Sequence, residues 1–137
     1  MTDLSDLKPT PPANPDTEAY WDGLKRGELL LQQCTACHAY RHYPQPMCPH
    51  CHSMDYQWTP SKRLGRIYSW TETHHAFNPG FKGELPYILV TVDLDEGVRL
   101  NAQLRDADID ELKIGRESRV DFEVGNGDLV YPIIRLL

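Results

Sequence analysis

The four cysteines of this chain form two Cys-x-x-Cys pairs, Cys34 with Cys37 and Cys48 with Cys51, separated by ten residues. Each pair can direct two thiolates at one ion, about 2.3 Å from each sulfur, and two pairs complete a tetrahedron. Because the protein would then fill all four ligand positions, no position is left for water or substrate, which is typical of structural rather than catalytic zinc. The spacing therefore predicts one structural zinc ion.

Other uses of the four thiols are weighed against this prediction. Two disulfides would require an oxidising compartment, yet the chain opens with Met1 and a polar, proline-rich stretch that lacks the apolar core of a signal peptide. Iron in the same four-sulfur site would make a rubredoxin-like electron carrier, an alternative that the sequence leaves open. Three histidines lie beside the cysteines, but four thiolates already complete the coordination shell: His38, His50 and His52.

Length and charge limit the classes of protein to consider. The 137 residues suffice for one domain, or for two small ones that share a core. No run approaches the ~20 apolar residues that would span a bilayer, so we expect a soluble, cytoplasmic protein without a membrane segment. The formal net charge is -6, with 20 acidic and 14 basic residues, and on average it repels polyanions. A nucleic-acid-binding module is an alternative that would need a strong local basic patch.

A helix is predicted near the N-terminus, after a proline-rich tail over residues 1–13 that is expected to be flexible. Asn14-Pro15 supplies a cap and a first-turn proline, and Gly27 can end the helix, so residues 14–28 form this element. The helix places Tyr20, Trp21 and Leu24 on one face. That face either packs on the chain's own barrel or anchors a partner subunit.

Residues 29–60 are predicted to form a zinc ribbon. A short apolar strand at Leu29–Leu31 leads into the first cysteine pair, and prolines that favour turns surround the second pair. The apolar content of this segment is too small for it to fold alone. Metal binding would therefore contribute directly to its folding free energy.

From Leu64 onward, apolar and polar residues alternate with a period of two, the pattern of half-buried strands. Five such segments are predicted, at residues 64–75, 88–94, 98–104, 120–124 and 129–136. A short capped helix over residues 108–112 lies between the third and the fourth. This order favours a small Greek-key barrel of the OB type over residues 61–137. The predicted fold is thus mainly β, with a helix, a metal ribbon and a five-stranded barrel.

Several motifs follow one another in a specific order between Asp16 and Leu137. They include Tyr20-Trp21, Gly27-Glu28-Leu29, Cys34-x-x-Cys37, Cys48-Pro49-x-Cys51, Gly65-Arg66-Ile67-Tyr68-Ser69-Trp70-Thr71, His75-Ala76-Phe77 and Leu94-Asp95-Glu96-Gly97. In this order they resemble the DUF35 family, acyl-CoA-associated proteins in which a rubredoxin-like zinc ribbon precedes an OB-fold. Two positions depart from that pattern: His38 stands where a glycine often follows the second cysteine, and Ile133-Ile134 where an aromatic residue often occurs.

The resemblance implies a zinc-containing accessory subunit that belongs to a hetero-oligomer. Members of the family associate with thiolase-fold enzymes, with hydroxymethylglutaryl-CoA synthase or with hotdog-fold, hydratase-like chains. Some of these complexes perform retro-aldol cleavage of steroid side-chain acyl-CoA. The barrel of this chain would accordingly bind a CoA thioester or the partner enzyme, and not nucleic acid.

Five residues are candidates for contacting that thioester or partner. Phe77, Phe81 and Tyr87 fall in and after the loop that joins the first two barrel strands, a loop that often shapes ligand grooves in OB folds. These rings could line an acyl channel, face a partner or cap the open end of the barrel. Lys62 and Arg66 lie in the densest basic cluster and are candidates for binding phosphate.

No catalytic residue is predicted. His74-His75 could supply a general base, because histidine titrates near neutrality. However, no Ser, Cys or paired carboxylate stands at a suggestive spacing, and the cysteines are assigned to the metal. The chain is therefore not expected to catalyse a reaction by itself, and a supporting catalytic role of His74 or His75 across an interface with the partner enzyme is left open.

Overall fold

The N-terminal helix is shorter than the sequence predicted. In this computed structural model, residues 9–12 and 14–137 are described, so most of the tail predicted over residues 1–13 lies outside the described residues. Helix α1 spans Glu18–Lys25. The backbone carbonyl of Asn14 accepts hydrogen bonds from the N–H groups of Thr17 and Glu18, so Pro15 to Thr17 form a turn before the helix. Gly27, with φ of 78°, follows its C-terminal end.

The ribbon contains a three-stranded antiparallel sheet. Its strands are β1 (Leu30–Cys34), β2 (Tyr40–Arg41) and β3 (Tyr56–Pro60), in the order β2-β1-β3. Strand β1 ends at the first cysteine, and β3 follows the second pair of cysteines. The sheet therefore holds both ends of the cysteine-containing segment, and β3 leads directly into the barrel.

The second half is a closed five-stranded barrel, as predicted. Its strands are β4 (Leu64–Thr73), β5 (Tyr87–Leu94), β6 (Arg99–Leu104), β7 (Glu117–Val124) and β8 (Val130–Leu136). The order around the barrel is β4-β5-β6-β8-β7. Strands β6 and β8 are parallel and the other neighbours are antiparallel, which is the arrangement of an OB-fold.

Strand β4 pairs with both β5 and β7, and a β-bulge between Ile67 and Ser69 shifts its register against β5. Such a bulge increases the local twist, which helps a sheet of five strands to close. Gly65 lies at a close approach of the backbones, since a Cβ there would collide with the carbonyl oxygen of Asp93. Strand β4 ends at Thr73, two residues before the predicted end.

The connections between barrel strands contain two 3₁₀ helices. One covers Pro79–Glu84 in the loop between β4 and β5, and the other covers Ile109–Glu111 between β6 and β7. The second stands where a capped helix over residues 108–112 was predicted. Its capping box, formed by Asp108 and Glu111, is present, but the element is limited to one short turn.

One hydrophobic core joins the three parts of the chain. Tyr20 and Leu24 from α1, together with Leu29 and Leu31 from the ribbon, belong to the same cluster of buried residues as the barrel interior, which includes Val90. Leu29, Leu31 and Val90 are all 0% exposed. Disorder in the ribbon would therefore open the core of the barrel.

Within the described part of the chain, no helix is long and apolar enough to cross a bilayer.

Candidate functional site

The four cysteines form one compact cluster. Their sulfur atoms all lie within 4.8 Å of one another, with 3.5 Å between Cys34 and Cys51 and 3.6 Å between Cys37 and Cys48. Ligand atoms of a tetrahedral zinc–thiolate site are about 3.8 Å apart, as follows from a bond length of about 2.3 Å. The cysteines are free thiols rather than disulfides. The geometry and the donor set therefore fit a four-coordinate zinc ion, which these residues would hold.

Two similar turns position the four sulfurs. In the first, the N–H of His38 donates to the carbonyl of Cys34 at 2.9 Å, and in the second the N–H of His52 donates to the carbonyl of Cys48 at 3.0 Å. His38 and His52 have φ of 66° and 65°, a left-handed conformation that glycine adopts more easily. The substitution of histidine for the family's glycine at position 38 thus leaves the turn intact.

Backbone donors also prepare the thiols for a cation. The N–H of Cys37 lowers the pKa of the Cys34 thiol to about 6, and the N–H of Cys51 lowers the pKa of Cys48. The N–H of Ala39 acts likewise on Cys37, but desolvation and the neighbouring sulfurs raise the pKa of Cys37 to about 11. A divalent cation bound here would stabilise all four thiolates together.

A buried polar pair supports the segment between the two turns. Gln32 on β1 is 0% exposed, and its Oε1 accepts hydrogen bonds from Arg41 Nε at 2.8 Å and from the Gln45 N–H at 2.7 Å. Arg41, 4% exposed, also donates from Nη2 to the Gln45 carbonyl at 2.8 Å. This network fixes the loop that precedes the second cysteine pair. No local pattern in the sequence indicates that Gln32 and Arg41 pair.

The predicted aromatic residues lie in the loop between β4 and β5 and at the start of β5. The rings of Phe81 and Tyr87 are 5.7 Å apart, and both side chains are partly buried. Phe77 is 93% exposed, and its ring touches that of His75 at 4.7 Å. The loop between β4 and β5 thus carries one almost fully exposed aromatic ring, Phe77, and one ring, Phe81, that contacts Tyr87 at the start of β5.

The predicted basic residues lie elsewhere. Arg66 donates to the Gly115 carbonyl at 3.1 Å and to Glu117 at 3.4 Å, and the backbone N–H of Lys62 donates to Glu96 at 2.8 Å. Tyr87 pairs with Thr73, seven residues along β4 from Arg66. At 3.3 Å per residue, this separation is about 23 Å. The basic and the aromatic residues therefore do not form one compact site.

Of the three helix residues considered for a partner interface, two are in the chain's own core. Tyr20 and Leu24 are 4% and 1% exposed, and burial raises the pKa of the Tyr20 hydroxyl. Trp21 is only partly buried, and its ring meets that of Tyr20 edge-on at 5.2 Å. Among these three residues, Trp21 alone has surface to offer to another molecule.

A cavity that the sequence did not reveal lies between α1 and the barrel. It measures about 290 Å³ and is lined by residues of α1, β6 and β8, by Tyr43 from the ribbon and by Phe81. We call it the α1–barrel cavity. Residues on distant parts of the sequence meet there, so no local motif could have indicated it.

The fold and the cysteine cluster together define a class, a zinc-ribbon protein with a C-terminal OB-fold barrel. Residues 21–56 match the family described as "ChsH2, rubredoxin-like zinc ribbon domain", and residues 58–123 match "ChsH2, C-terminal OB-fold domain". A chain in a solved structure titled "Ltp2-ChsH2(DUF35) aldolase" is 33% identical in sequence to this chain. The superposition has a TM-score of 0.83 and includes 93% of this chain and 98% of that chain. The chain belongs to the DUF35 family.

Two curated relatives have longer chains. A "Probable enoyl-CoA hydratase alpha subunit" of Thermomonospora curvata is 35% identical over 129 residues, which are 94% of this chain and 40% of the relative. The "3-oxo-4,17-pregnadiene-20-carboxyl-CoA hydratase alpha subunit" of Mycobacterium tuberculosis is 34% identical over 116 residues, 82% of this chain and 36% of the relative. The chain thus spans about two fifths of the length of these relatives.

Proposed function

We propose that this chain is a zinc-containing accessory subunit of a thiolase-fold acyl-CoA enzyme, and that it supports the activity of that enzyme. The observation that carries the proposal is the likeness, over nearly the whole of both chains, to a DUF35 chain in a structure titled as an aldolase complex. The names of the two hydratase relatives both contain a CoA thioester. We infer a CoA thioester as the substrate of the complex, with steroid side-chain thioesters as the first class to test.

The side chains of this chain support a role beside an enzyme rather than as one. All four cysteines lie in the metal cluster, so no thiol is left as a nucleophile. His74 pairs with Glu72 at 2.9 Å, but the His74 side chain is 70% exposed, so water reaches it. Zinc, when bound, supplies structural stabilisation, because its four ligands leave no open coordination position.

The loop with Phe77 is the surface that we assign to the partner or its thioester. A large aromatic ring that is almost fully exposed gains much from burial in a protein interface, and aromatic residues commonly dominate the binding energy of such interfaces. Phe81, in the same loop, and Tyr87, at the start of β5, offer apolar surface for an acyl chain.

Lys62 and Arg66 would bind phosphate only at the other end of β4. The ion pair of Arg66 with Glu117 is weak, since the two side chains are 63% and 66% exposed, and a phosphate could displace the carboxylate. A thioester that used both regions would therefore have to lie extended along β4. The same spacing also allows the partner enzyme to bind at the Phe77 loop while the nucleotide of the CoA thioester binds at Lys62 and Arg66.

The charge distribution gives less support to a nucleic-acid module. The net charge is -6, and several arginines of the barrel are already paired with carboxylates. They are Arg63, Arg99, Arg105, Arg119 and Arg135. A polyanion would have to compete with these internal partners.

The proposal is tested by purifying the tagged chain from its native host and identifying the associated chains by mass spectrometry. We expect a thiolase-fold enzyme in a fixed ratio and one zinc per chain by metal analysis. Isolation of the chain alone, as a monomer, would contradict the proposal. An ultraviolet–visible spectrum of the same sample separates zinc from iron, because an iron–thiolate site is coloured.

A further inference from the structure

Three arginines at the surface of the barrel share one carboxylate. Asp121 on β7 accepts hydrogen bonds from Arg63 Nη1 at 3.3 Å, from Arg119 Nη2 at 3.0 Å and from Arg135 Nη1 at 3.0 Å. Burial acts to raise the pKa of Asp121, but the hydrogen bonds from Arg119 and Arg135 lower it below its usual value, so the group stays a carboxylate. Asp121 is 17% exposed, and its single negative charge faces three positive ones.

Two of these arginines lie directly opposite each other. Arg119 on β7 and Arg135 on β8 are cross-strand partners, a position in which like charges destabilise a sheet. Arg63 is fixed beside them, because its carbonyl accepts from the Val120 N–H at 2.8 Å and its Nη1 donates to the Val120 carbonyl at 3.2 Å. Since the chain has a net charge of -6, three convergent arginines are a local exception to its charge. Asp121 alone leaves two of their charges unbalanced.

The second counter-ion of this cluster is easily displaced. Asp106 accepts from Arg135 Nε at 3.0 Å, but the Asp106 side chain is 74% exposed. Ion pairs at such exposure contribute little, because water competes for both groups. An anion that also contacts Arg63 and Arg119 could therefore take the place of Asp106 on Arg135. Asp121, which is held by three guanidinium groups, would stay in place.

The charge and the donors of the cluster fit a phosphate group. Each guanidinium carries five N–H donors in a planar fork that matches phosphate oxygens, and the contacts with Asp121 and Asp106 use only some of these donors. A phosphomonoester is mainly a dianion above about pH 6. Together with Asp121, a dianion would balance the three arginines, whereas a monoanion would leave one positive charge.

We propose that Arg63, Arg119 and Arg135 bind a phosphomonoester dianion, which replaces Asp106 on Arg135. The ligand is a single phosphate group, carried by a simple ester or by the phosphorylated ribose of a nucleotide. A nucleic acid would have to compete with the carboxylates of many arginines, whereas one phosphate displaces a single exposed carboxylate.

The site goes beyond the proposed function, because it needs only this chain and no partner enzyme. It lies at the same end of β4 as Lys62 and Arg66, since Leu64 pairs with Arg119, but it depends on other side chains. Its failure would leave the proposed association, and the contacts proposed for Lys62 and Arg66, untouched.

The test titrates the zinc-loaded full chain with two anions of the same shape, methyl phosphate and methyl sulfate, at about pH 7.5, where only the phosphate is a dianion. Calorimetry measures Kd, and NMR follows the arginine Nε–Hε signals. We expect methyl phosphate to bind at least about fivefold more tightly than methyl sulfate, and to shift the signals of Arg119 and Arg135. Adenosine 3′,5′-bisphosphate is the third probe. Binding tighter than that of methyl phosphate identifies a nucleotide as the source of the phosphate group, and equal binding identifies a simple ester.

Two variants change the charge of the site in opposite directions. Arg135→Met should weaken the binding of methyl phosphate at least about fivefold. Asp106→Asn should tighten it about threefold, because the competing carboxylate is removed and asparagine readily adopts the φ of 60° at this position. Arg99→Met, at an exposed arginine paired with Asp93, is the control and should keep Kd.

Four results would overturn the proposal. They are equal binding of methyl phosphate and methyl sulfate, as general surface charge would give, no binding of methyl phosphate, binding without a shift of the Arg119 and Arg135 signals, and an unchanged Kd in Asp106→Asn. If Arg135→Met does not fold, Asp106→Asn and the arginine signals of the wild-type chain decide the question.

Discussion

Glu96, in the turn between β5 and β6, accepts a hydrogen bond of 2.9 Å from the hydroxyl of Ser61, the first residue after ribbon strand β3. The other carboxylate oxygen of Glu96 accepts from the backbone N–H of Lys62 at 2.8 Å. The Ser61 N–H in turn donates to the Leu29 carbonyl at 2.8 Å. A hairpin of the barrel therefore holds the junction to the ribbon, in addition to the shared core.

Glu96→Ala should weaken this junction. Because the variant removes the carboxylate that accepts two hydrogen bonds, we expect the free energy of unfolding to fall by about 1–2 kcal/mol. Urea unfolding monitored by circular dichroism measures the change. Glu117→Ala is the matched control, since its exposed ion pair with Arg66 should contribute at most about 0.5 kcal/mol. Equal losses in the two variants would show that the Glu96 contacts do not couple ribbon and barrel.

Removal of the metal should destabilise the whole chain and not the ribbon alone. Leu29 and Leu31 are in the same core as the barrel, so disorder of the ribbon exposes that core. We expect Cys48→Ser, or treatment with a strong chelator, to lower Tm by about 10 °C or more. Met54→Ala, at a residue 66% exposed beside the second cysteine pair, serves as the control and should not change Tm. A barrel that unfolds at the same temperature without metal would contradict the shared core.

Gln32→Leu should leave the Arg41 guanidinium buried without one of its acceptors. A buried charge that loses a hydrogen bond is costly, and we expect a loss of about 2–4 kcal/mol of stability. The double variant with Arg41→Met should recover part of that loss, because the charge is then gone as well. Thermal and urea unfolding of the four combinations measure the coupling. Strict additivity would indicate that the two side chains do not interact.

Stability should decrease in mildly acidic solution because of His42. Burial lowers the pKa of His42 to about 4, and its ring packs against Tyr20 and Tyr43. In the unfolded chain this pKa is about 6.5, so between the two values only the unfolded state binds the proton. Stability attributable to His42 is thus present above about pH 6.5 and is lost toward pH 4, by about 3 kcal/mol in total.

The variant His42→Phe isolates this effect from the protonation of the zinc ligands, which all variants share. Unfolding free energies between pH 4 and pH 7 should depend less on pH in His42→Phe than in the wild-type chain. An unchanged slope in His42→Phe would show that His42 is not the titrating group.

Phe77→Ala should leave the fold unchanged and weaken the association with the partner enzyme. The ring is 93% exposed, so its removal costs little stability, whereas an aromatic anchor in an interface typically contributes about 2 kcal/mol or more. We expect Kd for the co-purified partner to rise by a factor of about 30. Ile114→Ala, at a residue 79% exposed in the β6–β7 connection, is the control. The same Kd for Phe77→Ala and the wild type would show that this loop is not part of the interface.

The elements with a regular pattern were predictable from the sequence, and the irregular ones were not. The alternation around Leu100 and the turn at Gly97 located the central hairpin, and two cysteine pairs located the metal cluster because their spacing has few other uses. Strand β3 was missed, since Tyr56 to Pro60 contains a proline and depends on pairing with β1.

Contacts between residues that are far apart in the sequence could not be predicted from local sequence patterns. The hydrogen bond between Gln32 and Arg41 forms because strands β1 and β2 pair. The α1–barrel cavity exists because α1 packs against the barrel. The basic and aromatic candidates for thioester binding were grouped by residue type. The structure separates them, because β4 is extended and Arg66 and Thr73 lie near its two ends.

The most direct test of the account is the turnover of an acyl-CoA substrate by the thiolase-fold enzyme that co-purifies with this chain, measured with and without the chain. We predict that the zinc-loaded chain raises kcat/KM at least about tenfold, equal to about 1.4 kcal/mol of transition-state stabilisation, and that the Cys48→Ser chain does not. An enzyme that is equally active alone, or a chain that turns over the substrate by itself, would contradict the account.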